Sequence, residues 1–454
     1  MLKRDAWSAL ESWKKGSQKK ALLIRGARQI GKTTLVREFA RRNYDCFAEV
    51  NFLAEPDAAS LFEGSLDADS LVTGLTAYLR KPLIPDKTLV LFDEVQECPA
   101  ARTAIKFLVE DGRFDYVETG SLLGVKNNVV ASYPVGFEEP LQMYPLNFKE
   151  FCQANGVQGE TIDYLRDCFE RRQPVNDAVH RTMLQLLNVY LVVGGMPEVV
   201  QRYVDTHDIA QVLRLQNDLL ELYRLDIAKY AEGRDKAKIR SIFDTIPSQL
   251  NDKNRRFVLA DLGRTARQER YRSSFLWLAD AGMALPCYNV TAPVAPLEGN
   301  SKHSLMKLFM GDVGLLCAAS MSNVQLDLLQ GNIDVNMGSI VENAVAQELR
   351  AHGFAIYYFN SSRTGEVDFV VQDGKAVIPI EVKSGNDWTA HKALNNVMDV
   401  KEWGIEKAFV LCKGNIARSG NITYVPLYMT MFFEPTPLPE TLTYEVDLSA
   451  LQMG

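Results

Sequence analysis

The run Gly26-Ala27-Arg28-Gln29-Ile30-Gly31-Lys32-Thr33 constrains the fold more than any other stretch of the chain. It fits G-x-x-x-x-G-K-[ST] and lies between a short apolar run, Ala21–Arg25, and an amphipathic stretch, Lys32–Arg42. Strand, glycine loop and helix in that order make a phosphate cradle. The glycines let main-chain N–H groups fold round a β-phosphate, and the helix that follows points its positive end at the same place. Lys32 is placed to reach the β- and γ-phosphates and the Thr33 hydroxyl to ligate Mg²⁺. Gly26, Ala27, Arg28, Gln29, Ile30, Gly31, Lys32, Thr33 and Thr34 form the expected contact run with the nucleotide, ATP.

A cradle of this kind needs an acid at the end of a buried strand. Leu89-Val90-Leu91-Phe92-Asp93-Glu94 supplies one, following an unbroken apolar run that suits a central parallel strand. Asp93 is expected to hold Mg²⁺ through water, and Glu94 to polarise the attacking water as a general base. The order of elements, with Phe47–Leu53 before this strand and Phe114–Thr119 after it, fits the additional-strand class of P-loop ATPases. The later strand ends at Thr119-Gly120-Ser121. Ser121, or Thr119, is a candidate γ-phosphate sensor, and either serves equally as a helix N-cap.

With 454 residues the chain is long enough for two to four domains at roughly 150 residues each. Apolar residues make up 47% and charged residues 24%, which excludes global disorder and fibrous repeats. The formal charge of −7 means that any nucleic-acid contact must come from a local patch, since a protein that coats polyanions is basic. Seven cysteines without C-x-x-C spacing exclude a disulfide framework or zinc knuckle and suit a reducing cytoplasm. The basic N-terminus holds only the short apolar run Ala21–Ile24, too little for a signal peptide. No other run reaches the ~20 residues that span a bilayer, so a soluble, cytoplasmic protein with no membrane partner is expected. Trp7 and Trp13 in the basic N-terminal helix are expected to dock it on the nucleotide domain.

The strand–helix alternation covers residues 1–150, the P-loop ATPase domain. Helical periodicity dominates 151–250, with Thr161–Arg172, Asp177–Val193 and Asp208–Tyr230 as helices and Gly194-Gly195-Met196-Pro197 as a sharp stop. Residues 251–330 read as winged-helix-like: a basic helix from Arg264 to Ala279, then a hairpin around Leu285–Val290 and Leu305–Met310 whose wing is Pro293–Asn300. Residues 331–454 form a further α/β module.

That module carries the second constellation. In Glu366-Val367-Asp368 through Asp373-Gly374 to Glu381-Val382-Lys383, Asp373-Gly374 is a strong two-residue hairpin signal. This turn sets Glu381 opposite Glu366 and Asp368 opposite Pro379. Asp368, Glu381 and Lys383 then share one face as diagonal neighbours within about 7–8 Å. Two carboxylates and a lysine at a sheet surface suit Mg²⁺ or Mn²⁺. Asp368 and Glu381 are candidate metal ligands, Glu342 on the preceding helix a further acid, and Lys383 the group that positions or deprotonates a water. A solvated, salt-bridged hairpin face is the plain alternative. Residues 338–413 contain ten acids against eight Lys and Arg, so the module has no basic track of its own. Residues 251–275 hold seven Lys and Arg against three acids. There Arg264, Arg267, Arg270 and Arg272 are candidates to grip phosphates, or to serve as an arginine finger, or simply to form a solvated helix face.

The segments GARQIGKTTL, LVLFDEVQECP, ETGSLLG, MYPLNFKEF, GGMPEVV and GEVDFVV…IPIEVKSG together resemble a bacterial AAA-type ATPase family over nearly the full length. In that family a P-loop domain precedes a helical and winged-helix region and a domain of unknown function. The last segment is similar to the PD-(D/E)XK nuclease superfamily, with Glu342, Asp368, Glu381 and Lys383 falling on its motif. The resemblance implies a small restriction-endonuclease-like α/β fold. Where relatives often carry Gly-Arg before the MYPL-type strand, this chain has Gly136-Phe137, so the source of an arginine finger stays open. The sequence therefore reads as an ATP-hydrolysing AAA-type ATPase coupled to a metal-dependent nuclease-like domain that acts on nucleic acid. The alternative is a nucleotide-dependent switch whose C-terminal domain binds nucleic acid or a protein partner without cleaving. Oligomeric state is not fixed by the sequence.

Overall fold

A computed structural model describes residues 2–446 except 17–18, 122–133, 232, 234, 253–255, 263–267, 322–323, 331–336 and 440. The phosphate-loop half is built on five strands: β1 (Ala21–Arg25), β2 (Cys46–Asn51), β3 (Thr88–Asp93), β4 (Asp115–Gly120) and β5 (Glu138–Gln142). Their order is β2-β3-β4-β1-β5 and every neighbouring pair is parallel. The strand β4 is thus inserted between the phosphate-loop strand and the one ending in Asp93, as the element order led us to expect. Both β3 and β4 are buried along their whole length, which for β3 explains why it reads as an apolar run without alternation. Helices Lys32–Asn43 and Pro99–Asp111 are among those that cover the faces.

The helical stretch includes Gly159–Arg171, Asp177–Val193, Pro197–Thr206 and Ile209–Tyr230. The stop at Gly194–Pro197 has a packing cause. A Cβ at Gly195 would lie 2.1 Å from the Leu146 carbonyl oxygen, so only glycine lets these two backbones meet. The contact is sealed by the Leu146 N–H donating to the Gly195 carbonyl at 2.7 Å.

The C-terminal half is a mixed sheet of eight strands: β6 (Ala284–Val290), β7 (Ser301–Met310), β8 (Tyr357–Ser361), β9 (Gly365–Asp373), β10 (Ala376–Val382), β11 (Ala408–Cys412), β12 (Ala417–Ser419) and β13 (Ile422–Pro426). Their order is β12-β13-β11-β10-β9-β8-β6-β7. The hairpin expected to carry the wing of a winged helix, β6 and β7, instead extends this sheet, because Tyr288, Asn289 and Val290 pair in parallel with Tyr357, Tyr358 and Phe359. The sheet therefore crosses the boundary drawn between 251–330 and 331–454. The basic helix there covers Gln268–Asp280, and Arg264 and Arg267 lie outside the described residues.

The β9–β10 register differs from the expected one by two residues. Ala376 faces Asp373, Pro379 faces Val370 and Ile380 faces Phe369. The turn is Gly374-Lys375: only Gly374 takes a positive φ, 58°, while Asp373 stays in the strand. The Asp373 carboxylate accepts the Thr436 N–H and hydroxyl, each at 2.8 Å. A shift of two keeps every side chain on its expected face, whereas a shift of one would have reversed them all. Continuing the ladder one step sets Glu381 beside Asp368, and the Asp368 carboxylate caps the ladder by accepting the Val382 N–H at 2.9 Å.

One buried cluster runs from Leu10, Leu22 and Ile24 through Tyr190, Leu191 and Val212 to Phe369, Leu411 and Val425. It joins the inner face of both sheets through the helices, so the two halves share a core. Separate clusters cover the other face of each sheet. No helix among the described residues is long and apolar enough to cross a membrane.

Candidate functional site

Asp93 ends β3 beside the phosphate loop and is only 3% exposed. Its carboxylate accepts the Thr33 hydroxyl at 2.8 Å and the Asn51 amide at 2.7 Å, and the Thr119 hydroxyl as well. Hydroxyl and carboxylate thus sit together as two ligands of one Mg²⁺ would, and these residues fit the ion expected there. The loop follows the cradle geometry: Gly31 has φ 88° and Gln29 φ 63°, with the helix starting at Lys32. At Gly26 a Cβ would meet the Met143 carbonyl oxygen at 2.2 Å, so the loop can fold here only with glycine. The Lys32 ammonium is buried and donates to the Gly26 and Ala27 carbonyls at 2.9 and 2.7 Å.

Glu94 stands next in the chain with φ 54° and ψ 45°, a left-handed backbone uncommon for glutamate and frequent at working sites. Its carboxylate accepts the Gln96 side-chain amide and the Ser121 hydroxyl, the latter at 3.4 Å. Of the two sensor candidates, then, Ser121 faces Glu94 and Thr119 binds Asp93. Asn51, Gln96 and Thr119 bind the two acids; only Thr119 was considered at the sequence level.

The N-terminal segment braces the loop. Arg4 donates to the Ile30 carbonyl at 2.7 Å and the Tyr144 carbonyl at 2.6 Å, and pairs with Glu150 at 3.1 Å. The following helix, Ala6–Lys15, docks through Trp13, whose indole donates to Lys20, and Trp7, edge-on to Phe39 at 5.4 Å.

At the C-terminal sheet, Glu342 comes from the helix Gly338–Ala351, Asp368 and Glu381 from the adjacent strands β9 and β10, and Lys383 from the residue just after β10. Glu381 is buried beside Asp368, and burial together with the Asp368 charge pushes its carboxyl up to about 7. Lys383 pairs with Glu381 at 2.9 Å. The third residue of that quartet is thus salt-bridged to the fourth. A lysine that sequence reasoning gave no role lies at the centre. The Lys307 ammonium of β7 is fully buried, 2.9 Å from Glu366, 3.8 Å from Glu342 and 3.9 Å from Asp368. Its signal was available as the only charge in the apolar run Leu305–Met310.

Among the described residues no group of three or more His, Cys, Asp or Glu side chains is arranged to hold a metal. The pair Asp368–Glu381 still fits a hydrated Mg²⁺ or Mn²⁺, because Glu381 Oε2 is buried without a hydrogen-bond partner among the described residues. Glu342 faces Lys307, whose ammonium lies 3.8 Å from its carboxylate. The basic stretch meets this cluster through Arg256, 3.7 Å from Glu366. Arg270 and Arg272 are exposed on the helix Gln268–Asp280.

Residues 18–152 match the AAA domain family, residues 184–326 a domain of unknown function termed DUF8612, and residues 337–429 another, DUF4143. Residues 18–152 thus form an AAA-type P-loop domain. No curated protein matches the chain. Among solved structures, the Holliday junction branch migration motor RuvB of Thermotoga maritima is similar at 15% identity, covering 62% of this chain and 89% of that one with a TM-score of 0.29. Aeropyrum pernix ORC1 in complex with DNA is similar at 14%, covering 71% and 92% with a TM-score of 0.25. PCH-2 of C. elegans is similar at 14%, covering 45% and 61% with a TM-score of 0.26. Superpositions this loose say nothing of activity.

Proposed function

We propose that the chain binds and hydrolyses ATP with Mg²⁺ at the phosphate loop, and that this cycle controls the C-terminal module. The observation that carries the reading is the convergence of Thr33 and Asp93 at 2.8 Å, with Glu94 next to it and the loop poised over both. Lys32 would leave the loop carbonyls for the phosphates, Thr33 and Asp93 would hold the ion, and Ser121 would meet the γ-phosphate. Glu94 would take a proton from the attacking water. Calorimetric titration with ATP and Mg²⁺ tests this: wild type should bind and Lys32→Ala should give no heat. No heat from the wild-type protein would remove the proposal.

For the C-terminal module the reading is a metal-dependent, nuclease-like activity on nucleic acid. What supports it is the Asp368–Glu381 pair with an orphaned buried oxygen, flanked by Lys383. A bound ion would supply Lewis-acid polarisation of a phosphate there; Asp368 and Glu381 would hold it and Lys383 would orient water. The second reading, a module that binds without cutting, is favoured by Lys307, whose ammonium already lies against Glu366, Glu342 and Asp368. Linear, circular and single-stranded DNA incubated with Mg²⁺ or Mn²⁺, with and without ATP, separates the two. Cleavage lost in Glu381→Ala selects the first; ligand-stimulated ATP hydrolysis without a cut product selects the second.

A further inference from the structure

The third position of the phosphate loop carries Arg28, and its side chain turns back over the catalytic end of the loop. Nε donates to the Ser121 hydroxyl at 3.3 Å, the same hydroxyl that lies 3.4 Å from the Glu94 carboxylate. Nη1 pairs with Asp226, and Nη2 donates to the Tyr230 hydroxyl at 2.9 Å. The guanidinium also packs on the Tyr230 ring, 4.9 Å from its centroid. Asp226 and Tyr230 both lie in the last turns of the long helix Ile209–Tyr230, and Tyr223 of the same helix donates to the Arg28 carbonyl at 3.3 Å. The arginine is therefore aimed from outside the loop, by an element almost two hundred residues away in sequence.

Three of the five N–H groups of a guanidinium meet these partners, leaving two for a further acceptor. Its rigid fork suits phosphoryl oxygens, and it stays charged at any working pH. The side chain is 23% exposed, so it is reachable from the cleft yet held against drifting into solvent. We propose that Arg28 is this chain's own arginine finger, a catalytic residue that binds the γ-phosphate in the transfer step, with Asp226 and Tyr230 as its positioning residues. The inference rests on the ATPase reading given above. In the step it serves, water attacks the γ-phosphorus and the bond to the bridging oxygen breaks, giving ADP and inorganic phosphate. The proton lost by water goes to Glu94, and Arg28 gives up no proton but offsets charge on the equatorial oxygens.

Two measurements on wild type, Arg28→Ala and Arg28→Lys test it: single-turnover hydrolysis, and calorimetric affinity for ATP and for ADP with fluoroaluminate, which mimics the transferring phosphoryl group. Arg28→Ala should hydrolyse about 10³-fold more slowly. It should keep ATP affinity within about threefold and lose affinity for the fluoroaluminate complex by about the factor lost in rate. Arg28→Lys should recover part of the rate, because the charge returns without the fork. If Arg28→Ala does not fold, Arg28→Lys carries the same comparison alone. Wild-type hydrolysis in Arg28→Ala overturns the proposal. So does an equal loss of affinity for ATP and for the fluoroaluminate complex, which would make Arg28 a structural tie between loop and helix. If wild type itself binds no ATP or does not hydrolyse it, the ATPase reading fails; that result is seen before any variant is compared.

Discussion

The hydrogen bonds that the described residues make to the Asp93 carboxylate come from three different elements: Thr33 from the helix after the loop, Asn51 from β2 and Thr119 from β4. Such a carboxylate is fixed in place before any ligand arrives, which is the condition for holding an ion without reorganisation. Glu94, by contrast, is held by Gln96 and more loosely by Ser121, as would suit the general base proposed for it. Replacing Glu94 with glutamine keeps its size and its hydrogen-bonding oxygen but removes its basicity. Glu94→Gln should bind ATP normally and turn it over about 10²–10⁴-fold more slowly, measured as phosphate release. Unchanged release would show that the base lies elsewhere. Asp93 and Glu94 were legible because they end a contiguous apolar strand. Asn51 was not, because it reaches Asp93 only through the β2–β3 register, which pairs the two residues across a parallel ladder.

At the scale of elements, the Gly194–Pro197 stop is the joint where the helices meet the nucleotide half. Gly195 touches the Leu146 backbone on one side, and its own N–H donates to the buried Asp312 carboxylate at 2.7 Å. Asp312 also accepts the Leu315 N–H at 3.0 Å and so caps the helix Val313–Met321. One added methyl at Gly195 has no room to go without separating these backbones. Gly195→Ala should cost at least about 1–3 kcal/mol, read as a lower urea midpoint. A midpoint within error of wild type would mean that the joint is looser than drawn. The helix bounds themselves followed from period and caps: Asp177–Val193 appears as expected. The β9–β10 register lies two residues from the expected one, with Asp373 kept in the strand and its carboxylate engaged by Thr436, a partner sixty-three positions away that no turn rule includes.

For the molecule as a whole, buried polar groups bridge the two halves within the shared core. Glu348, from the helix Gly338–Ala351, accepts the Phe148 N–H at 2.6 Å, and Gln347 donates to the Tyr190 hydroxyl at 3.0 Å. Burial lifts the Glu348 carboxyl from its ordinary 4.5 to about 8, and the Glu150 charge adds to this. Its folded-state pKa is raised, so the stability it contributes is full below about 4.5 and is lost as pH rises through about 8. Glu348→Gln keeps an acceptor for Phe148 without the charge. Its melting temperature should therefore gain on that of wild type between pH 5 and pH 8 by calorimetry, at buffer values chosen to span roughly that window. Parallel curves would place the titration elsewhere.

The sequence alone was enough for the phosphate loop, the acid pair at the end of β3, the inserted β4 and the shared face of Asp368, Glu381 and Lys383. Each of these depends on neighbours within a few residues or on a strict period, so local chemistry decides it. The tertiary structure alone decided that β6 and β7 extend the C-terminal sheet, that Lys307 lies among the acids, and that Arg28 is gripped by Asp226 and Tyr230. Those contacts join residues about 60 to 200 positions apart. No pattern along the chain encodes which distant side chain will fill a given space, because that is settled only when the sheets and helices close over a common core.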